Sequence, residues 1–128
     1  GKPSDAWHRD HLIDPRSVVP ESVMPPYAFL ADRELEYRDM QAKVAAMTKV
    51  GVPYTQAMID NAAADLQAQA DPFAPGRDLK ARYGDKVQQR DFDGNPSKVT
   101  EMDALVAYLQ MLGTLVDFST YEAEESLR

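Results

Sequence analysis

Four prolines, Pro15, Pro20, Pro25 and Pro26, fall within a twelve-residue stretch, and they decide what this chain cannot build there. Each fixes its own φ and lacks an N–H, so a helix interior or a central strand crossing 15–26 would lose backbone bonds with nothing to replace them. The side chains between them, Val18, Val19, Val23 and Met24, are apolar. The segment therefore reads as an ordered apolar loop, which presents one methionine.

Helical periodicity accounts for most of the rest. Ser4 and Asp5 read as an N-cap with a first-turn acid, and Trp7, His11 and Leu12 then fall near one face before Asp14-Pro15 ends the helix. Met40, Val44 and Met47 predict a helix over 39–49 with Gly51 as its C-terminal cap. Thr55 caps a third, whose stripe is Met58, Ile59, Ala62, Ala63 and Leu66. Asp71 to Gly76 reads as a loop, Arg77 to Gln89 as room for a short helix, and Asp91 to Pro96 as a turn. Thr100 with Asp103 forms a capping box that uses Asp where Glu is usual, ahead of Met102, Leu105, Val106, Leu109, Leu112 and Leu115 or Val116. No alternating run of strand length occurs. The expectation is an all-α fold of three to four helices.

Composition removes several functions. With 128 residues the chain can build one core. A net charge of −7 argues against nucleic acid or an anionic lipid surface, which would repel it. No run approaches the roughly 18 apolar residues that cross a bilayer. Cysteine is absent, which excludes disulfides, zinc-thiolate and iron-sulfur sites, and covalent haem attachment through Cys-x-x-Cys-His. The abrupt start, Gly1-Lys2-Pro3 into a helix signal, reads as that of a fragment whose remainder lies upstream.

Few residues have the pattern of a reactive site. His8 and His11 share a helix face but have no third histidine to complete a metal site. Asp91-x-Asp93-Gly94-Asn95 has a calcium-like look, yet an EF-hand needs glycine sixth and glutamate twelfth, where this loop has glycine fourth and Met102 twelfth. A turn is the better reading. Ser17 and Ser22 sit in no nucleophile elbow, so no catalytic residues are assigned. On composition alone Met24 reads as a core filler.

The segment Trp7-His8-Arg9-Asp10-His11-Leu12-Ile13-Asp14-Pro15-Arg16, continued by Val19-Pro20-Glu21-Ser22-Val23-Met24-Pro25-Pro26-Tyr27, alters that reading. It resembles the distal segment of the monohaem cytochrome c subunit (subunit II) of cbb3-type cytochrome c oxidases. Val50-Gly51-Val52-Pro53-Tyr54, Asp91 to Pro96 and Thr100 to Leu105 extend the resemblance, and Ala104 to Thr114 is similar to the closing helix of cytochrome c folds. The resemblance implies the C-terminal part of a cytochrome c-like domain over 1–117, with a Met loop at 15–27, a helical insertion at 39–70 and a closing helix at 101–116. Residues 118–128 would be an acidic tail. It implies Met24 as the distal haem-iron ligand of the intact protein, with haem c as cofactor there and none expected in a cysteine-free fragment. The implied partners are the catalytic and dihaem subunits and a donor cytochrome, on the periplasmic side of the bacterial inner membrane, anchored by a segment upstream. Oxygen chemistry would take place in another subunit, this one being an electron carrier and no enzyme by itself. A fragment without its haem is expected to collapse the Met24 loop or self-associate. The alternative is a haem-independent helical interaction or assembly module with Trp7, Tyr27 and Phe29 as contacts.

A cysteine-free chain cannot form thioether bonds to haem, so a denaturing gel of this chain stained for haem peroxidase activity is expected to be blank. A stained band at its mass would overturn the reading.

Overall fold

The computed structural model describes residues 1–114, and they are all-α. In chain order the helices are α1 (Asp5–Ile13), α2 (Pro15–Val18), α3 (Met40–Lys49), α4 (Gln56–Ala70), α5 (Arg77–Tyr83) and α6 (Glu101–Met111), with a 3₁₀ turn at Ala28–Ala31. Among the described residues no strand forms, and one antiparallel bridge joins Glu34 to Thr100.

Among the described residues six helices exceed the three to four expected, and the reason for one of the additions is proline itself. The loop was expected to begin at Pro15, but Pro15 occupies the first position of α2, where its missing N–H has no intrahelical acceptor to satisfy. Asp14 caps that turn by accepting the Arg16 N–H at 3.2 Å. The irregular stretch is therefore shorter than four prolines suggested. α1 starts as read, with the Ser4 hydroxyl accepting the Trp7 N–H at 3.1 Å.

α3 and α4 pack as a hairpin, and α5 packs on α4. Gly51, at φ 95°, takes the left-handed position just past α3 that glycine enters without Cβ strain. Thr55 opens α4 by accepting the Met58 N–H at 3.3 Å. Ala62, the centre of the stripe read from sequence, is buried, and so is Asp65 one turn further on. An acid is tolerated there because α5 brings it partners: Arg82 donates to both carboxylate oxygens, and the Tyr83 hydroxyl donates at 3.1 Å.

α6 packs on α1 and on the 3₁₀ turn, enclosing a core of Leu12, Phe92, Met102 and Val106. Met102 and Val106 expose nothing. The N-terminus is tied beside the end of α6, where the Gln110 amide donates to the Pro3 carbonyl and to Asp5, each at 2.8 Å. Arg90 donates to both oxygens of Asp5 and lies 4.6 Å from the Phe92 ring centroid. The closing helix was expected to reach residue 116 but ends at Met111, because Gly113 turns the chain away at φ 75°. Leu115, Val116 and the acidic tail at 118–128 lie outside the described residues.

Burial beside the Asp65 charge pushes the Tyr83 phenol up from 10.0 to about 12. The folded pKa is the higher one, so the stabilisation is complete below pH 10 and is lost as pH rises through about 12. Tyr83→Phe is expected to remove an ultraviolet phenolate transition centred near pH 12 and to flatten the loss of stability between those values, read by absorbance titration and alkaline denaturation.

Candidate functional site

The loop that carries Met24 is closed by bonds of its own backbone and of α1. Ser22 donates its N–H to the Val19 carbonyl at 2.9 Å, and Arg16 Nε donates to the Ser22 carbonyl at 3.2 Å. The Ser22 hydroxyl accepts the Met24 N–H at 3.2 Å. At the far end, Tyr27 donates its N–H to the Leu12 carbonyl at 2.7 Å, which fastens the loop to the last turn of α1. Alternation along the extended part then does the rest: Val23 points out, 96% exposed, and Met24 points in, partly buried against the core. Tyr27 and Leu30 pack on the same core.

That core is held from behind by a carboxylate. The Asp103 Oδ1 accepts the N–H groups of Phe92 at 3.1 Å and Asp93 at 3.0 Å, while its Oδ2 accepts the Thr100 N–H at 3.0 Å. The capping box read from sequence is present, with the Thr100 hydroxyl accepting the Asp103 N–H at 3.0 Å. The same hydroxyl donates to Asp93 at 2.6 Å. Burial raises the Asp103 pKa above the usual carboxylate value, the nearby Asp93 charge adds to this, and the N–H bonds oppose it. Asp91, Asp93 and Asp103 bring one oxygen each within 4.8 Å of one another. Their oxygens accept from the turn itself, including Gly94 N–H to Asp91 at 2.8 Å and Asn95 N–H to Asp93 at 2.7 Å, which is the work of a turn.

The remaining residues singled out from sequence stand apart. The Trp7 indole stacks on His11, with centroids 4.7 Å apart and planes 23° from parallel, and meets His8 edge-on at 5.4 Å. Ser17 donates to the Asp14 carbonyl at 2.7 Å. Phe29 is exposed, with the Arg33 guanidinium 4.7 Å from its ring centroid. The sequence pattern identifies Asp103 only as a cap and Asp5 only as a first-turn acid, and does not single out Arg90 or Gln110. The use of Asp in place of Glu was the available signal, since a shorter side chain keeps its second oxygen close to the backbone behind it.

A c-type haem requires two cysteine sulfurs, an iron ligand on each face and an apolar wall. The chain has no cysteine, and its two histidines are engaged with Trp7. What it offers is a thioether on an apolar core, so its residues fit one face of such a group and not its attachment. The described residues are all-α, and the methionine loop packs on a core to which α6 contributes Met102 and Val106. The family model described as "Cytochrome C oxidase, mono-heme subunit/FixO" matches residues 1–116, and the chain belongs to this family. It is accordingly a cytochrome c oxidase subunit of the electron-transport class. No curated protein matches the sequence. Among the described residues no helix is long and apolar enough to cross a membrane.

Asp103→Ala leaves buried donors at Phe92, Asp93 and Thr100 without an acceptor, each costing about 1–3 kcal/mol. Urea denaturation is expected to show a total loss above about 3 kcal/mol. Asp103→Asn keeps one acceptor oxygen and should lose less. Equal, small losses from both would show that the carboxylate does not hold the turn.

Proposed function

We propose that in the intact protein Met24 is the distal ligand of a c-type haem whose attachment cysteines and proximal histidine belong to sequence preceding Gly1. The observation that carries this is the pairing of Val23 and Met24: adjacent apolar side chains on a loop pinned at both ends, one turned to solvent and the other packed against the core. A core filler needs no such loop. When bound, the haem supplies a reversible one-electron couple, and a thioether ligand favours the reduced iron and so a higher potential.

The chain's own residues do the positioning. Pro25 and Pro26 restrict the backbone after Met24, while Tyr27 and Leu12 fix where the loop returns. Leu12, Phe92, Met102 and Val106 form the buried apolar cluster against which the Met24 side chain packs. Val19, Val23 and Phe29, on the loop and the turn that follows it, each leave apolar surface exposed that a haem edge or a docking partner could cover. The domain so formed passes electrons from a donor cytochrome to the catalytic and dihaem subunits, at the periplasmic side of the bacterial inner membrane, anchored by an upstream segment. A net charge of −7 favours basic partners for this relay.

The test uses the intact, haem-bearing protein. Met24→Leu keeps the apolar volume at a cost under about 1.5 kcal/mol but removes the sulfur. Because axial ligands and their surroundings set haem potentials over a range of about 0.8 V, the midpoint is expected to shift far more for Met24→Leu than for Met111→Leu. The sulfur-to-iron absorption band at the red edge of the visible should vanish in the first variant alone. Equal small shifts with the band intact would make Met24 a packing residue.

A further inference from the structure

The backbone around Met24 has few donors with which to hold it. Pro25 and Pro26 have no N–H, and the next one downstream, that of Tyr27, reaches the Leu12 carbonyl three residues beyond Met24. The Met24 N–H itself is bonded to the Ser22 hydroxyl at 3.2 Å, a side-chain turn spanning two residues. Pro25 confines Met24 to extended backbone, so the freedom left to the side chain is movement of the loop about Ser22.

Every polar group of Ser22 is in use. Its N–H donates to the Val19 carbonyl at 2.9 Å, closing a turn whose second residue is Pro20, the position at which proline's fixed φ is favoured. Its hydroxyl accepts from Met24, and its carbonyl accepts from Arg16 Nε at 3.2 Å. Arg16 is anchored in turn. It follows Pro15 in α2, where Asp14 accepts its N–H at 3.2 Å and the Val19 N–H returns to the Pro15 carbonyl at 2.9 Å. The guanidinium therefore spans the loop from the helix at its entrance to the residue that holds Met24, and it does so from an exposed position outside the core.

We propose that Arg16 and Ser22 are positioning residues for Met24: the guanidinium latches the Ser22 carbonyl and so sets how readily the methionine leaves the iron. The proposal rests on the reading of Met24 as the distal ligand. Breaking the latch does not remove the thioether. It raises the fraction of molecules in which the thioether is away from the metal, and an added ligand binds in proportion to that fraction.

Imidazole, titrated into the oxidised, intact, haem-bearing protein and followed by the change in haem absorption, measures this. Arg16→Leu removes every donor of the latch, and Ser22→Ala removes the acceptor of the Met24 N–H. Each is expected to tighten imidazole binding by roughly two- to tenfold, the equivalent of one hydrogen bond of ordinary net strength. Arg38→Leu removes the same charge from an exposed residue whose ion pair is with Glu36, and is expected to leave the affinity unchanged. In the chain without haem, Arg16→Leu is expected to speed exchange of the Met24 amide hydrogen by a similar factor while leaving that of the buried Val106 as it was. An affinity unmoved by Arg16→Leu but greatly raised by Met24→Leu, or an unchanged Met24 amide, overturns the latch and leaves Met24 as the ligand. An affinity unmoved by Met24→Leu as well overturns the reading of Met24 itself. An equal gain from Arg38→Leu would make the effect one of charge and would overturn the latch alone.

Discussion

The carboxylate of Asp103 is the point on which the half of this chain that carries the Met24 loop depends. One oxygen takes two N–H groups from the turn at Phe92 and Asp93, and the other takes the first N–H of the cap at Thr100. That grip fixes the Phe92 backbone beside Met102 and Val106 on α6, in the core against which Met24 packs. The arrangement has an electrostatic cost. Burial raises the Asp103 pKa, so the folded state holds its proton more tightly than the unfolded chain, and this group's contribution to stability falls as pH rises from the unfolded value through the folded one. Asp5 has the opposite sign. Its hydrogen bonds from Arg90 lower its pKa, so its contribution is present above the unfolded value and is lost as pH falls. The same core is thus supported by one acid held despite its charge and another held because of it.

Two groups of helices result, each with its own polar fastening. α1, the 3₁₀ turn and α6 share the core beneath Met24 and are bound at the termini through Asp5, Arg90 and Gln110. The α3–α4 hairpin and α5 are joined by Asp65, Arg82 and Tyr83. Arg90 links the halves of the first group in a second way, because its guanidinium covers the Phe92 ring while its N–H groups reach Asp5. Each fastening places a charge at a boundary where water is partly excluded. A partner is therefore required there, and geometry is fixed by it.

What could be read from the sequence follows from how far apart the interacting residues stand. Thr55 with Met58 and Thr100 with Asp103 act on backbone three residues away, so spacing alone identified both caps. Gly51 was legible for the same reason. Asp5 meets Arg90 across 85 residues, and no periodicity records that. Asp65 fell outside the stripe named for α4 because an acid reads as solvent-facing until Arg82 is known to cover it. Pro15 misled in the other direction: proline forbids a helix interior, yet the first position of a helix suits it. The Met24 loop was legible as a loop and as a resemblance, whereas the turning of Val23 outward and Met24 inward was not.

The loop's order has a source that does not involve iron. Fixing a residue's backbone costs about 1–2 kcal/mol of conformational entropy, and prolines reduce this by narrowing the unfolded chain's choices. Pro20, Pro25 and Pro26 do so within the loop, while Arg16, Ser22 and Tyr27 close it with bonds to this chain's own carbonyls. A sulfur placed in this way does not have to be gathered from a disordered segment when a metal arrives. Binding that needs no ordering step retains more of its intrinsic strength. On the proposed reading, a proline-bracketed methionine reaches a metal at a smaller ordering cost than a methionine on a free loop would.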